Sequence, residues 1–243
     1  MPAIILPTAS FPDLSLSRPQ VSQGRHLPRW EANGAIYHIA LHLADSVPQT
    51  QLDIWRAERE RLQELACAAR RPLTDDEVAA LKVVYHEHVE KYLNAGYGEC
   101  LLRNNEVSTA VANVLAHDNG KSYALHEWCI MPNHLHIIVG GFQATSYCSC
   151  PHEQIAAPEG RSSTGVAAPE GRSSTMRDVV ATWKRVSGHL INKVLGHTGP
   201  VWHRDAYTRI IRDRVEYGHQ MSYVWNNPEV AGLSSGFLRE RYI

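Results

Sequence analysis

The chain has 243 residues, of which 44% are hydrophobic and 20% charged, a composition typical of one packed domain with insertions. Its 24 Lys and Arg against 25 Asp and Glu leave a net charge of −1, which excludes histone-like or basic-tail binding of nucleic acid but not a local basic groove. No apolar run approaches the roughly 18 residues of a membrane span, which excludes an integral membrane protein.

Residues 1–28 are rich in Pro and Ser and have no sustained period, which predicts an extended N-terminal arm. This segment also lacks the basic and continuous apolar regions of a secretory signal. The five cysteines have no repeated spacing. Cys148 and Cys150 could form half of a metal site, but no second pair stands at zinc-finger distance, so we expect reduced thiols rather than a structural zinc site. We therefore expect a cytoplasmic protein, associated with the nucleoid if it binds DNA.

The first strand is predicted at GAIYHIALHL (34–43), where apolar residues alternate and His38 and His42 lie on one side. From 49 to 94 the pattern becomes helical, and we interpret this segment as a helical insertion. It contains the capping box Thr74-Asp-Asp-Glu77, in which the Thr hydroxyl and the Glu carboxylate satisfy free N–H groups of the first turn.

The second half of the chain alternates strands and helices around a further insertion. AAPEGRSST occurs twice within 142–175, and this polar repeat predicts a disordered segment. The last helix should end near Asn227, because Pro228 cannot continue it. The remaining predicted elements are a helix at 105–117, strands at 122–130 and 134–141, a helix at 176–195, a strand at 201–211 and a tail at 236–243.

These elements predict an α+β fold in which helices pack on an antiparallel sheet, with 29–235 as a single domain. Two His-x-His patterns occur in it. His86 and His88 lie within a helix and point about 200° apart, so we interpret them as surface histidines. His134 and His136 lie on a strand, where alternate side chains share a face, and two such imidazoles can coordinate one divalent ion.

Two other classes of histidine enzyme fit this strand poorly. Histidine-triad nucleotide hydrolases require a third alternate histidine, but Ile138 occupies that position. Two-histidine phosphoesterases use separated His-x-Thr/Ser motifs, whereas here the third position of the motif is His136.

Near the C-terminus, Tyr223 and Asn227 are four residues apart on the predicted last helix and therefore share a face. The pair could present a phenol and an amide oxygen to one point. The same spacing is also compatible with a packing aromatic and a helix-end residue, so spacing alone does not decide between the two interpretations.

The run CIMPNHLHIIV resembles the HUH motif (His, hydrophobic, His) of single-tyrosine transposases. VWHRDAYTRIIRD followed by YVWNNPEVAGL resembles the C-terminal segment of the REP-associated tyrosine transposases, and GAIYHIALHLADS and GYGECLLRN are similar to other parts of that family. The matching segments cover about 34–45, 96–140 and 176–234. The insertions at 49–94 and 142–175 lie between these segments, and no residue of the motifs falls within them.

This resemblance implies a ferredoxin-like antiparallel sheet with the histidines on a central strand. It implies that Tyr223 is the nucleophile and that His134, His136 and Asn227 hold Mg²⁺ or Mn²⁺. The implied substrate is single-stranded or hairpin DNA of the REP-like palindrome type, cleaved through a 5′-phosphotyrosine intermediate. No feature of the sequence identifies the group that activates the phenol.

A basic segment lies beside the implied site. Residues 176–214 contain eight Lys and Arg but only three Asp, which gives a local excess of five positive charges. Aromatic residues are interleaved with these charges, and flat rings can stack on unpaired bases. The predicted DNA contacts are Lys184, Arg185, Trp202, Arg204, Tyr207, Arg209 and Arg212.

Three functions remain open at this point. The first is a metal-dependent single-tyrosine nicking and strand-transfer enzyme. The second is a domesticated, non-catalytic protein that binds hairpin DNA, and the third is a metal-dependent phosphoesterase that would not need Tyr223. The extra helices favour a monomer over a homodimer that exchanges its catalytic helices.

Overall fold

The fold is taken from a computed structural model, which describes residues 20–23, 28–31, 34–68, 74, 76–77, 89–142, 175–234 and 236–242. Residues 89–94 are helical. The other elements, in chain order, are β1 (Gln20–Gln23), β2 (Pro28–Glu31), β3 (Ile36–His42), α1 (Gln49–Ala68), a 3₁₀ turn (Leu101–Arg103), α2 (Asn105–Ala116), β4 (Ala124–Ile130), β5 (His134–Gly140), α3 (Met176–Leu195), β6 (Tyr207–Ile211), α4 (Arg214–Val230) and β7 (Leu238–Arg241).

Five strands form one antiparallel sheet in the order β6-β3-β5-β4-β7, with β5 at its centre. Without β1, β2, β7 and the helical segments within 49–94, the chain order is strand, helix, strand, strand, helix, strand, and the spatial order of these strands is fourth, first, third, second. This is the ferredoxin-like arrangement, so the predicted α+β fold and the central position of the histidine strand are confirmed. In the register of β3 on β5, His42 lies opposite His134 and Ala40 opposite His136.

Alternation along the strands divides the core between the two faces of the sheet. On one face, Ile39 and Ile137 pack with α2 and α3 in the larger core. On the other face, Ile36 and Ile138 pack against Met221 and other residues of α4. The four histidines of β3 and β5 occupy even-numbered positions with Ile36 and Ile138, and they therefore lie on the face that α4 covers.

Side-chain caps start the helices at the predicted places. Asn104 accepts hydrogen bonds from the first backbone N–H groups of α2, and Asp213 accepts one at the start of α4. Thr175 and Asp178 form a capping box at the start of α3. The capping box predicted at 74–77 is also present, with a Thr74 N–H to Glu77 Oε2 distance of 2.8 Å.

Helix α4 continues through Pro228 to Val230, so the prediction that it ends near Asn227 was wrong. Proline keeps a helical φ and removes one backbone donor, which a last turn can tolerate. The Ala231 N–H donates to Asn227 O at 2.9 Å, and the Leu233 N–H donates to Pro228 O at 2.8 Å. These two bonds close the helix one turn later than the sequence indicated.

Two other boundaries differ from the prediction. The strand expected over 201–211 begins at Tyr207, and before it only Trp202 makes an isolated bridge, to Leu43. The segment 236–243, expected to be a tail, contains β7, which pairs with β4. The edge of β4 offers unpaired backbone groups, and Arg241 of β7 forms an ion pair with the buried carboxylate of Glu127 there.

The predicted insertions and arm are described only in part. Within 49–94, α1 and residues 89–94 are helical, and Val47, Val89 and Leu93 form a small separate cluster. In the arm, β1 pairs with β2. The AAPEGRSST repeats (apart from Thr175), His86, His88 and the Cys148–Cys150 pair lie outside the described residues. In the part of the chain that the structure describes, no helix is both long and apolar enough to cross a membrane.

Candidate active site

The two histidines of the HUH motif are next to each other on β5, beneath α4. Each side chain is 1% exposed, and their ring centroids are 5.0 Å apart with the rings nearly perpendicular. Spacing of two on a strand places both rings on one face, as the sequence predicted. Since β5 is the central strand, this pair is fixed from both sides by β3 and β4.

One ring nitrogen of His134 is hydrogen-bonded to the side chain of Asn133, and the other has no hydrogen-bond partner among the described residues. Nδ1 lies 2.8 Å from Asn133 Oδ1, and because that amide oxygen only accepts hydrogen bonds, Nδ1 is the nitrogen that carries the proton. Nε2 then keeps its lone pair; it is buried and has no hydrogen-bond partner among the described residues. Burial, followed by the neighbouring His42, lowers the pKa of His134 to about 3, so the ring is neutral at physiological pH.

Strand β3 adds His42, which the sequence did not assign to the site. Its Nδ1 lies 3.1 Å from the Leu43 carbonyl oxygen and 2.7 Å from Ser46 Oγ, so Nδ1 donates and Nε2 keeps the lone pair. Nε2 is buried and has no hydrogen-bond partner within the described ranges. Burial and the stacked ring of His203, with centroids 4.4 Å apart, lower the pKa of His42 to about 3.

His38 is the second histidine that β3 contributes. Its Nε2 lies 3.0 Å from His136 Nδ1, so one of these two rings donates to the other. The alternation of β3 showed that His38 and His42 share a face. The sequence could not show that this face meets His134 and His136, because strand register is a long-range property.

Helix α4 brings Tyr223 and Asn227 to the same place. The Tyr223 ring centroid lies 5.4 Å from that of His136 and 5.7 Å from that of His38, each in an edge-to-face arrangement. Asn227 is buried, and its Oδ1 has no hydrogen-bond partner in the part of the chain that the structure describes. One chain thus supplies the phenol, the amide oxygen and the paired imidazoles.

The phenol has a carboxylate partner from outside the segments that carry the family resemblance. Tyr223 Oη donates to Glu90 Oε1 over 2.5 Å. Burial, followed by the charge of Glu90 and this hydrogen bond, raises the pKa of Tyr223 well above its usual value, and a hydrogen bond with Asn227 acts in the opposite direction. Glu90 stood within the expected helical insertion, and nothing in the local sequence distinguishes it from a surface glutamate.

The predicted DNA contacts fall into different environments. Lys184 donates from Nζ to the carbonyl oxygens of His203, Arg204 and Asp205, over 2.9, 3.2 and 2.9 Å. Its three N–H donors therefore hold the loop before β6 to α3. The exposed members of the predicted set are Arg185, Arg204, Arg209 and Arg212.

Trp202 does not offer a stacking surface, contrary to the prediction. It is 7% exposed, its ring packs in the larger core, and its Nε1–H donates to Ser187 Oγ at 2.9 Å. Tyr207 and Arg209 are better placed, because alternation on β6 directs both to the face that α4 covers. The Tyr207 ring lies 6.0 Å from that of His38, while Arg209 is ion-paired with Glu216.

The donor set is rich in nitrogen and poor in carboxylate. Across the described residues, no three His, Cys, Asp or Glu side chains gather closely enough to hold a metal ion. The described part of the chain can therefore complete a site around His134 and His136 only with a different kind of ligand. The buried amide oxygen of Asn227 is such a ligand, since neutral oxygen atoms are acceptable to Mg²⁺ and Mn²⁺.

Comparison with known proteins adds one structural likeness. No protein-family model matches the chain, and no curated protein is similar to it. A solved structure described as "Structure of the REP associates tyrosine transposase bound to a REP hairpin" is similar, with a TM-score of 0.39 and 13% identity. The similarity covers 87% of this chain and 74% of that chain, and it is a distant structural relationship.

Proposed function

We propose that this protein is a metal-dependent, single-tyrosine enzyme that nicks DNA and transfers strands, as a transposase does. The observation that carries the proposal is the placement of Tyr223 against the HUH pair, with its ring 5.4 Å from that of His136. Tyr223 is half-buried, and its position brings a nucleophile and metal-ligand nitrogens to one point, which a residue that serves only packing does not need.

Mg²⁺ or Mn²⁺ is the proposed cofactor, and the residues present fit such an ion. The fit rests on buried atoms without a hydrogen-bond partner among the described residues, namely Nε2 of His134 and Oδ1 of Asn227. His136 would complete the set of ligands, since its ring lies next to that of His134. When bound, the ion would polarise the scissile phosphate and neutralise charge that develops on its oxygens.

In the proposed nicking step, Oη of Tyr223 attacks the phosphorus of a DNA phosphodiester. The bond from phosphorus to the 3′ oxygen breaks, which leaves a free 3′-OH on one strand and a 5′-phosphotyrosine on the protein. A second 3′-OH can then displace Tyr223 by the reverse reaction. Because the phosphotyrosine ester conserves the energy of the broken phosphodiester bond, strand transfer needs no ATP.

Single-stranded or hairpin DNA, of the REP-like palindrome type, is the proposed substrate. A single active-site tyrosine acts on one strand at a time, which favours a single strand over a duplex as the substrate. Exposed arginines at 204, 209 and 212 lie along or next to β6, where they could contact phosphates. The description of the similar solved structure agrees with this substrate, but at a TM-score of 0.39 the proposal does not rest on it.

The test is an adduct assay with the full chain. Purified protein would be incubated with Mn²⁺ and 3′-end-labelled hairpins from the DNA that flanks its gene, then run on a denaturing gel. The 3′ label is needed because the strand with the 5′ phosphate is the one that becomes attached. We expect a covalent adduct with the unmodified protein and with Tyr97→Phe, an exposed tyrosine control, and none with Tyr223→Phe.

Other outcomes separate the remaining functions. Hairpin binding without any adduct would favour a domesticated, non-catalytic binding protein. Cleavage without a covalent species, unchanged in Tyr223→Phe, would favour a phosphoesterase that transfers the strand to water. Either result would overturn the tyrosine mechanism.

A further inference from the structure

The hydroxyl of Tyr223 is held by a carboxylate that no motif assigns to the site. Oη lies 2.5 Å from Oε1 of Glu90, and it donates the hydrogen bond. Glu90 belongs to residues 89–94, where Val89 and Leu93 on the same helical turn are buried against Val47. Packing of these neighbours fixes the backbone from which Glu90 reaches α4, so the contact joins two separately anchored elements.

The proposed chemistry requires a proton acceptor at this position. An unperturbed tyrosine has a pKa of about 10, so the phenol is protonated at physiological pH and a poor nucleophile. A general base must lie within hydrogen-bond reach of the proton that it removes, at roughly 2.6–3.2 Å or slightly less for a short bond. Three other described groups lie around the phenol. Asn227 is an amide and lacks the basicity of a carboxylate, and His136 belongs to the proposed metal set. His38 packs its ring on that of Tyr223, and its Nε2 is hydrogen-bonded to His136 rather than to the phenol.

From this geometry we infer that Glu90 is a catalytic residue, the general base of the nicking step, an inference that rests on the proposed function. Glu90 is not the missing metal ligand in this arrangement, because no three His, Cys, Asp or Glu side chains of the described residues converge. The helical segment that carries Glu90 is therefore part of the active site rather than an appendage to it.

The proton can be followed through both halves of the reaction. As the bond from Oη to phosphorus forms, the phenolic proton moves to Oε1 of Glu90. The bond from phosphorus to the 3′ oxygen breaks with its electron pair, and that oxygen takes a proton from water, which leaves hydroxide. During strand transfer, the incoming 3′-OH loses its proton to hydroxide and attacks phosphorus. Glu90 then returns its proton to Oη as Tyr223 leaves.

The experiment measures single-turnover adduct formation with Mn²⁺ and the 3′-labelled hairpin. Glu90→Gln keeps an oxygen acceptor for the phenol but removes the basicity, and we expect it to slow adduct formation by about 10²- to 10⁴-fold. Affinities for Mn²⁺ and for the hairpin should stay within about threefold, as expected when only a proton-transfer group is lost. Glu99→Gln, an exposed glutamate nearby in the chain, should react at the rate of the unmodified protein.

A second variant separates catalysis from structure. Glu90→Ala leaves space for a small carboxylate, and added formate should restore part of its rate in proportion to formate concentration. A glutamate that only supported the fold would not respond in this way. Thermal unfolding followed by circular dichroism would show that both variants remain folded.

Three results would overturn the inference. Adduct formation by Glu90→Gln at the normal rate would remove Glu90 from the mechanism and leave the proposed function intact. A parallel loss of Mn²⁺ affinity, without rescue by formate, would make Glu90 a ligand or a structural residue. Absence of any adduct with the unmodified protein would overturn the proposed function, and this inference with it.

Discussion

The nitrogen that carries the proton on each histidine ring determines which of its nitrogens is able to bind a metal ion. His42 and His134 come from adjacent strands, yet each has Nδ1 tied to an oxygen atom that fixes its tautomer. In metal sites, the ligating histidine commonly donates its other N–H to a carbonyl or carboxylate, which orients the ring. Both rings have this arrangement, but no three histidines of the described residues lie close enough to share one ion, so only His134 joins His136 as a proposed ligand.

The two histidines can be compared directly by metal affinity. We expect His134→Ala to weaken Mn²⁺ binding to the full chain by at least tenfold, because a ligand nitrogen is lost. His42→Ala should weaken it less, because no three histidines of the described residues lie close enough to share one ion. Isothermal titration calorimetry measures both, with His117→Ala as a matched control since His117 is exposed at the end of α2.

An equal loss of Mn²⁺ affinity in His42→Ala would show that His42 is a third histidine ligand. Unchanged affinity in His134→Ala would contradict the metal site itself.

At the scale of elements, β7 pairs with β4 at one edge of the sheet and places Arg241 against a buried carboxylate. Glu127 on β4 is fully buried, and burial raises the pKa of its carboxyl group while the ion pair with Arg241 opposes that rise. Removal of one partner from a buried pair leaves an uncompensated charge. Such losses typically cost about 3–5 kcal/mol.

We therefore expect Arg241→Ala to lower the free energy of unfolding by about 3 kcal/mol or more, measured by urea denaturation. Arg239→Ala is the matched comparison, because Arg239 pairs with Glu229, which is largely exposed. That change should cost less than Arg241→Ala, because its ion pair is worth about 1 kcal/mol or less and its other contacts include a hydrogen bond to the Trp225 carbonyl oxygen and stacking on the Trp225 ring. Equal costs for the two arginines would show that the Glu127 carboxylate is not charged in the fold.

Local sequence patterns predicted some of these elements and missed others. Alternation and caps predicted β3, β5, α2 and α3 closely, because those signals are local. Strand β7 reads Leu-Arg-Glu-Arg and carries no alternation of apolar residues, so its pairing depends on the open edge of β4. Tyr223 and His136 were predicted through motifs, whereas Glu90 and His42 required the tertiary contacts that bring distant segments together.

At the scale of the whole molecule, the basic segment 176–214 is divided between the two faces of the sheet. Helix α3 packs on the face opposite to the histidines, so Arg185 on its exposed side lies in the other layer from the site. Arg209 is exposed on β6, on the face that α4 covers, so it lies beside the site. A count of charges along the chain cannot distinguish these two positions.

Salt dependence of hairpin binding can distinguish them. If the strand passes on the α4 side of the sheet, Arg209→Ala should lower the slope of log affinity against log salt concentration by about 0.7, the value for one phosphate contact with a single strand. Arg185→Ala should leave that slope unchanged, and Lys184→Ala should lower thermal stability because it releases the loop before β6. Fluorescence anisotropy between about 50 and 200 mM salt measures the slopes. An equal effect of Arg185→Ala would contradict a path confined to the α4 face, because the DNA would then have to cross the β6 edge of the sheet and contact both layers.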